Sequence, residues 1–269
     1  MYYICKLVKD GVYSMINYMF WTGGWDSTFM LIQELRKGKE IQPIYLIDND
    51  RNGSSNELKA MDIIYNKLKA LNFLGGQMYN TIFVNKENIK NNDIITKAYY
   101  TIYEKTGLGS QHDWLSRYAE QENINIMLGT ENGTPQTSHI IHALNDFCLL
   151  KKEEDIKIID KEISSKEGKI VFGHMIFPII DLYETDMLKL VEEWQLEDIM
   201  KEIWFCHTPI NNEPCGICHP CEVKMESDMQ FLLPSKAQNR YKHMKLFEKL
   251  FGNFGRKAYI KVIKIAKMK

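Results

Sequence analysis

The sequence predicts an α/β protein: a parallel sheet with helices on both faces, followed by a small C-terminal extension tied together by cysteines. Three observations predict it. Short apolar runs alternate with amphipathic stretches from Tyr18 to Leu128, the pattern of strands buried under helices. A glycine pair stands between the first strand and the first helix, at Thr22–Ser27. Four of the six cysteines crowd into sixteen residues, from Cys206 to Cys221. The chain has 269 residues, 45% of them hydrophobic, enough for one large domain with an appendage.

The elements follow in order. Tyr18–Trp21 reads as a short buried strand, and Thr28–Lys37 has helical spacing with Gly38 at its stop. Ile41–Ile47 is a second strand, closed by the polar stretch from Asp48 to Ser55. Ser54 or Ser55 is expected to cap a helix through Leu71, because Leu58, Met61, Ile64, Tyr65 and Leu68 repeat at three-to-four spacing. A third strand is expected over Met78–Val84, then helices over Ile94–Thr106 and Gln111–Glu122, then a strand over Ile124–Leu128. Lys151–Lys169 is charged and reads as a solvated excursion or a hairpin; a strand over Ile170–Ile180 follows it. Helices over Asp186–Trp194 and Leu196–Ile203, the cysteine segment and a helical tail complete the chain. The expected division is 1-185 for the α/β domain and 186-269 for the helical region with the cysteines.

A net charge of −1 gives no general reason to expect a nucleic-acid or membrane partner. The N-terminal stretch lacks a long apolar run behind a basic start, and no stretch is long enough to span a bilayer. The expectation is a cytoplasmic protein whose cysteines serve a metal and not a disulfide framework.

In folds of this class ligands bind where loops gather at the carboxyl ends of the strands, and Thr22–Ser27 and Gly129–Gly133 both fall there. Two glycines after a strand allow a tight turn that points successive N–H groups inward, and the following helix adds its positive end. Hydroxyls on Thr22, Ser27 and Thr28 can add donors to phosphate oxygens. Asp26 would repel bare phosphate, so it implies Mg²⁺ between carboxylate and pyrophosphate. The alternative is a plain strand-to-helix turn with Asp26 or Ser27 as a helix cap. No lysine follows the second glycine, so this is not a loop with a Gly-Lys-Ser/Thr ending. It resembles the Ser-Gly-Gly-x-Asp-Ser loop of the N-type ATP pyrophosphatases, with Thr22 in the first serine's place.

Cys206, Cys215, Cys218 and Cys221 have the spacing C-x8-C-x2-C-x2-C. Two intervening residues let adjacent thiolates reach one metal, and four thiolates complete a tetrahedral Zn²⁺ shell with no position left for water. The expected zinc is structural. A redox pair, an iron–sulfur cluster and chance are the alternatives. Cys5 and Cys148 are read as ordinary buried thiols, and His207 and His219 as surface residues or neighbours of the shell.

Together, the loop and the cysteine spacing resemble the 7-cyano-7-deazaguanine synthase (QueC) family, over Tyr18 to Cys221. The likeness includes Phe177-Pro178-Ile179-Ile180-Asp181-Leu182, Trp204-Phe205-Cys206 and Pro214-Cys215-Gly216-x-Cys218-x-x-Cys221. It also includes the helix at Trp114–Ala119 leading to Ile126-Met127-Leu128-Gly129. The resemblance implies a HUP-like sheet (adenine nucleotide alpha hydrolase-like) and an ATP-dependent C–N ligase. Such an enzyme adenylates a small deazaguanine-like acid, releases pyrophosphate and AMP, and forms an amide or nitrile with ammonia. The expected nucleotide-binding set is Thr22, Gly23, Gly24, Trp25, Asp26, Ser27, Thr28 and Gly129, with Asp26 and Ser27 as catalytic residues; Asp48, at the end of the second strand, is read either as a contact to the nucleoside or as a loop-initiating carboxylate. The implied cofactors are ATP, Mg²⁺ and Zn²⁺.

The chain departs from that family at Gln111-His112, at Glu131–Gln136 and in nearly fifty residues beyond Cys221. The first two are loops where the deazaguanine would sit, so the acceptor stays open. Relatives in antiphage operons suggest a protein acceptor; a homodimer is a further possible partner. A tRNA- or nucleic-acid-modifying enzyme and a non-catalytic ATP-binding interaction protein are the other readings. His112, Arg117, Glu131 and Asn132 are candidate substrate readers at the pocket mouth, or plain surface groups. Asp181 is read as a loop-holding residue. The tail Arg256–Lys269 carries six basic residues in fourteen, with Lys257, Lys261, Lys264 and Lys267 on one face and Tyr259, Ile260, Val262 and Ile263 on the other. It is read as packed on its own domain, or docked on RNA, anionic lipid or a partner.

Overall fold

A computed structural model describes residues 5–7, 13–49, 53–71, 75–134 and 136–267, without side chains for 5–7, 13–15, 264, 266 and 267. The expectations for the Cys5 thiol, for Asp50 to Asn52, for Pro135 and for the Lys264 and Lys267 side chains lie outside the described residues.

The chain runs β1 (Cys5–Leu7), β2 (Tyr13–Phe20), α1 (Trp25–Arg36), β3 (Glu40–Ile47), α2 (Ser54–Lys69), β4 (Gln77–Met78) and β5 (Ile82–Asn85). It continues with α3 (Asp93–Thr106), α4 (Gln111–Glu122), β6 (Ile126–Met127), α5 (His139–Phe147), β7 (Leu150–Glu153), β8 (Ile156–Ile159), α6 (Lys166–Phe172) and β9 (Met175–Phe177). Helices α7 (Glu184–Glu193), α8 (Glu197–Met200), α9 (His219–Glu226) and α10 (Ser235–Lys267) complete it.

The strands order as β4-β3-β2-β6-β9-β8-β7, with β5 also on β3 and β1 on β2. Pairs β2–β3, β2–β6, β3–β4, β3–β5 and β6–β9 are parallel. The expected parallel sheet is in fact mixed, because β8 runs antiparallel to β9, β7 to β8 and β1 to β2. The charged stretch after Leu150 is the hairpin alternative, and it extends the sheet edge instead of standing in solvent.

Period-two alternation buries both faces. Met19, Trp21, Ile41, Tyr45 and Met127 enter one core under α1, α2, α7 and α8. Phe20, Ile44, Leu46, Ile126 and Leu128 enter the other, under α3, α4, α5 and α6. That is the condition for a near-continuously apolar strand.

Several expected elements are corrected. Residues 170–180 do not form one strand: α6 takes the run to Phe172 and β9 is short. Ser165 caps α6, accepting from the Gly168 N–H at 3.0 Å, so a β-branched run is helical. The expected third strand divides into β4 and β5 because Asn80 is drawn out of the ladder. Its carbonyl accepts from Gln42 Nε2 at 2.7 Å and its Oδ1 from Tyr65 at 2.6 Å. Helix α2 is capped by Gly53, not by a serine side chain; the Ser54 hydroxyl donates to the Asp48 carbonyl at 3.0 Å. Helix α5 fills the gap between Gly133 and Lys151 for which no element was expected. The tail helix breaks at Gly252, φ +59°, and folds back. Phe247 and Tyr259 have ring centroids 5.3 Å apart, whereas twelve residues of straight helix span about 18 Å.

Candidate functional site

Strand β2 lies between β3 and β6, so the chain leaves it in one direction and returns on the other side. A crevice opens at such a switch point, and the loops after β2 and β6 border it.

The first loop is held from beneath. Gly23 has φ +68°, the left-handed region that favours glycine, and an added Cβ would lie 2.9 Å from Met61 Cγ. Its carbonyl accepts from the Trp204 N–H at 2.9 Å. Gly24 is the N-cap of α1 and brings no side-chain cap, so Trp25, Asp26 and Ser27 open the helix with uncapped amides. The Thr22 N–H donates to Ser27 Oγ at 3.3 Å, and the two hydroxyls are also 3.3 Å apart. Thr28 is fully buried, and its Oγ1 accepts from Trp21 Nε1 at 3.1 Å.

Gly129, just past β6, is closely approached by the start of α1. A Cβ there would lie 3.0 Å from both Cα and N of Ser27, so a larger residue would push the end of β6 from the start of α1 by a few tenths of an ångström.

Over these loops lies a cleft of about 220 Å³. Phe20, Ile44, Leu46 and Leu128 form its apolar floor; Gln111, Trp114 and Leu115 of α4 form a wall; Thr22, Gly24, Trp25, Asp26, Ser27 and Gly129 form the rim. A second depression of about 400 Å³ adjoins it through Gln111 and Trp114 and is lined by Asp48, Gly53, Gly109, Ser110 and His207. Asp48 accepts from Lys86 Nζ at 3.1 Å. The structure thus brings Thr22, Gly24, Trp25, Asp26, Ser27 and Gly129 to one cleft, sets Asp48 in the next, and keeps Gly23 and Thr28 beneath the rim.

Behind Asp26 is a charged cluster that the sequence does not reveal. Lys224 of α9 is 7% exposed, pairs with Glu184 and lies 3.1 Å from Met229 Sδ. Its ammonium is 5.5 Å from the Trp25 ring centroid. Burial pushes the Asp26 pKa up, and the Lys224 charge opposes that rise. Burial and the neighbouring Asp26 raise Glu131 to about 7, again against Lys224. Burial lowers the Lys224 pKa while the two carboxylates work to raise it. Glu131 Oε2 and Trp25 Nε1 are buried without hydrogen-bond partners among the described residues. No motif marked Lys224, which in the sequence is one charge among many three residues past Cys221.

The other candidates part company. His112 is 4% exposed, packs edge-on against Phe172 and lines neither depression; burial lowers its pKa to about 4. Arg117 is bound to Asp113 at 2.9 Å and to the Lys90 carbonyl at 3.2 Å, away from the cleft. The Asn132 N–H donates to the Leu182 carbonyl at 2.7 Å. Asp181 pairs with Lys157 at 2.6 Å.

The four cysteine sulfurs lie within 4.8 Å of one another. Cys206–Cys218 and Cys215–Cys221 are separated by 3.8 Å and Cys218–Cys221 by 3.5 Å. A tetrahedron with metal–sulfur bonds of about 2.3 Å has edges of about 3.8 Å, so the donor set fits a thiolate-bound metal. Backbone N–H groups of Ile217 and Cys218 point at Cys215 Sγ from 3.4 and 3.3 Å, and that of Cys215 at Cys206 Sγ from 3.2 Å, as thiolates require. His207 and His219 are exposed beside this centre, and Cys148 is half-buried apart from it. Tyr259, Ile260 and Ile263 pack on the same small core, whereas Val262, expected with them, is 62% exposed.

The fold and the site define an α/β protein with a mostly parallel sheet, a glycine loop at its switch point and a four-cysteine cluster able to bind a metal. No protein-family model matches this chain, and no curated protein matches it. Among solved structures it is similar to the NMN synthetase from Francisella tularensis, with 13% identity over 82% of this chain and 80% of that one and a TM-score of 0.33. A likeness that distant carries no functional argument here. Among the described residues, no helix is long and apolar enough to cross a membrane.

Proposed function

We propose that this protein is an ATP-dependent ligase that adenylates a carboxylate, with pyrophosphate leaving into the glycine loop. The observation that carries this reading is the left-handed Gly23, beneath the rim, followed by the uncapped start of α1 at the cleft where the sheet order reverses. Amides that the N-cap residue leaves without a side-chain partner, at the positive end of a twelve-residue helix, are a cradle for phosphate oxygens.

The residues divide the work. The amides of Gly24 to Ser27 and the hydroxyls of Thr22 and Ser27 would hold the β and γ phosphates. The apolar floor and Trp114 would take the adenosine, with Asp48 beside it. Asp26 and Glu131 are the carboxylates that would hold Mg²⁺: hard oxygen donors, one with an unpartnered buried oxygen. Bound there, the ion supplies charge neutralisation as pyrophosphate departs. Cys206, Cys215, Cys218 and Cys221 would hold Zn²⁺ in a closed, structural shell. The same reading divides the chain into a nucleotide-binding unit, 1-185, and a helical region with the cysteines, 186-269. They meet through Met187, Val191, Ile199 and Met200, which share a core with α1.

The acceptor is taken to be a small deazaguanine-like acid, and ammonia or another amine the second substrate. Incubation with ATP, Mg²⁺, ammonia and 7-carboxy-7-deazaguanine, followed by mass spectrometry, tests this. AMP, pyrophosphate and an amide or nitrile are expected. AMP formed only when tRNA or a protein is added would move the acceptor to that class. Nucleotide binding without turnover would refute the ligase.

A further inference from the structure

We propose that the four-thiolate centre conditions the nucleotide loop: with its metal bound, it holds Trp204 and Lys224 in place, and they hold the loop. Two tethers run outward from the cysteines. On one side of Cys206, the Trp204 N–H donates to the Gly23 carbonyl at 2.9 Å, while the Trp204 indole N–H donates to the Cys206 carbonyl at 2.9 Å. On the other, Cys221 and Lys224 share α9, one turn apart, and Lys224 is buried against Trp25, paired with Glu184.

The segment carrying these groups has little of its own to hold it. Between Met200 and His219 there is no helix or strand, only one bridge between Ile210 and Glu213. Segments of that length without regular structure order themselves through something else. Here Arg240 anchors the Cys215 and Pro214 carbonyls at 2.7 and 2.9 Å, and the buried core is small, with Cys206, Cys215 and Cys221 among its few buried residues. Four thiols packed at sulfur–sulfur contact distance would lose, without a metal, the metal–sulfur bonds that draw them together, so metal loss frees the segment and both tethers with it. Lys224 is therefore a positioning residue: it acts through Trp25 and Asp26.

The inference rests on the nucleotide reading for one of its two readouts only. Full-length protein would be prepared zinc-loaded, stripped with a pyridyl chelator that leaves Mg²⁺ alone, and zinc-restored. Amide hydrogen exchange would be followed over residues 21–30, and Mg·ATP binding by calorimetry. On stripping, exchange in the loop should accelerate about tenfold and ATP affinity fall about tenfold, both recovering with zinc, while β3 and α3 keep their protection. Lys224→Met, checked to retain its zinc, should weaken ATP binding likewise, and Lys224→Arg should restore most of it. Loop exchange unchanged by stripping, or a zinc-bound Lys224→Met that binds ATP as the parent does, would overturn the coupling. Should the zinc-loaded protein fail to bind Mg·ATP at all, the nucleotide reading falls, and loop exchange still decides the coupling.

Discussion

At the scale of single residues, glycine and buried carboxylate carry most of the consequence. Gly129→Ala places a methyl 3.0 Å from backbone atoms of Ser27, which no rotamer change can relieve. β6 and α1 must part by a few tenths of an ångström. Mg·ATP affinity is expected to fall about tenfold, with a stability loss of about 1–2 kcal/mol, as read by calorimetry and urea titration. Glu131 titrates near 7 when folded, against 4.5 for the ordinary carboxyl. The folded state therefore binds more protons between those values. Glu131's contribution is fully present below about 4.5 and is lost as pH rises through 7. Glu131→Gln, without a titrating group, should be more stable than the parent at pH 8 by about 1–3 kcal/mol and near parity at pH 5. Thermal melts in divalent-free buffer check this, and equal differences at both pH values would sink it.

At the scale of elements, local signals and tertiary contacts share control. Asn92 Oδ1 accepts from the Ile94 and Ile95 amides at 3.1 and 3.2 Å, a side-chain cap on α3. Asn92→Ala should cost about 1 kcal/mol in urea unfolding and leave nucleotide binding untouched, because α3 contributes no residue to either depression. Helix α1 is the opposite case. It has no side-chain cap, and its open amides face the cleft. Filling that gap with a capping serine at Gly24 should steady the helix by a few tenths of a kcal/mol while weakening Mg·ATP binding, a trade visible by comparing melts with calorimetry.

At the scale of the whole molecule, the three cores formed among the described residues differ in what sustains them. Two sandwich the sheet and draw on many strands and helices. The third is a handful of residues under α9 and α10, built around Cys206, Cys215 and Cys221. A core that small does not order a helical hairpin without a staple. Chelation of a metal bound by these cysteines should therefore expose the region from Trp204 to Lys267 to limited proteolysis first, with fragments ending near Ile203 that retain the sheet. Uniform cleavage across the chain would contradict this.

Reading the chain alone determined the alternation of strands and helices, the glycine loop, the cluster of four cysteines and the α/β class, because each depends on local spacing. Periodicity of 2 and 3.6, a glycine pair and a C-x2-C turn are properties of a few adjacent residues. Only the tertiary structure decided that α6 is a helix, that β7 and β8 extend the sheet antiparallel, and that His112 and Arg117 turn from the cleft. It alone decided that Lys224, some two hundred residues from Asp26 in sequence, stands behind that carboxylate. Burial and long-range charge are set by what folds over a residue, and no spacing along the chain encodes that.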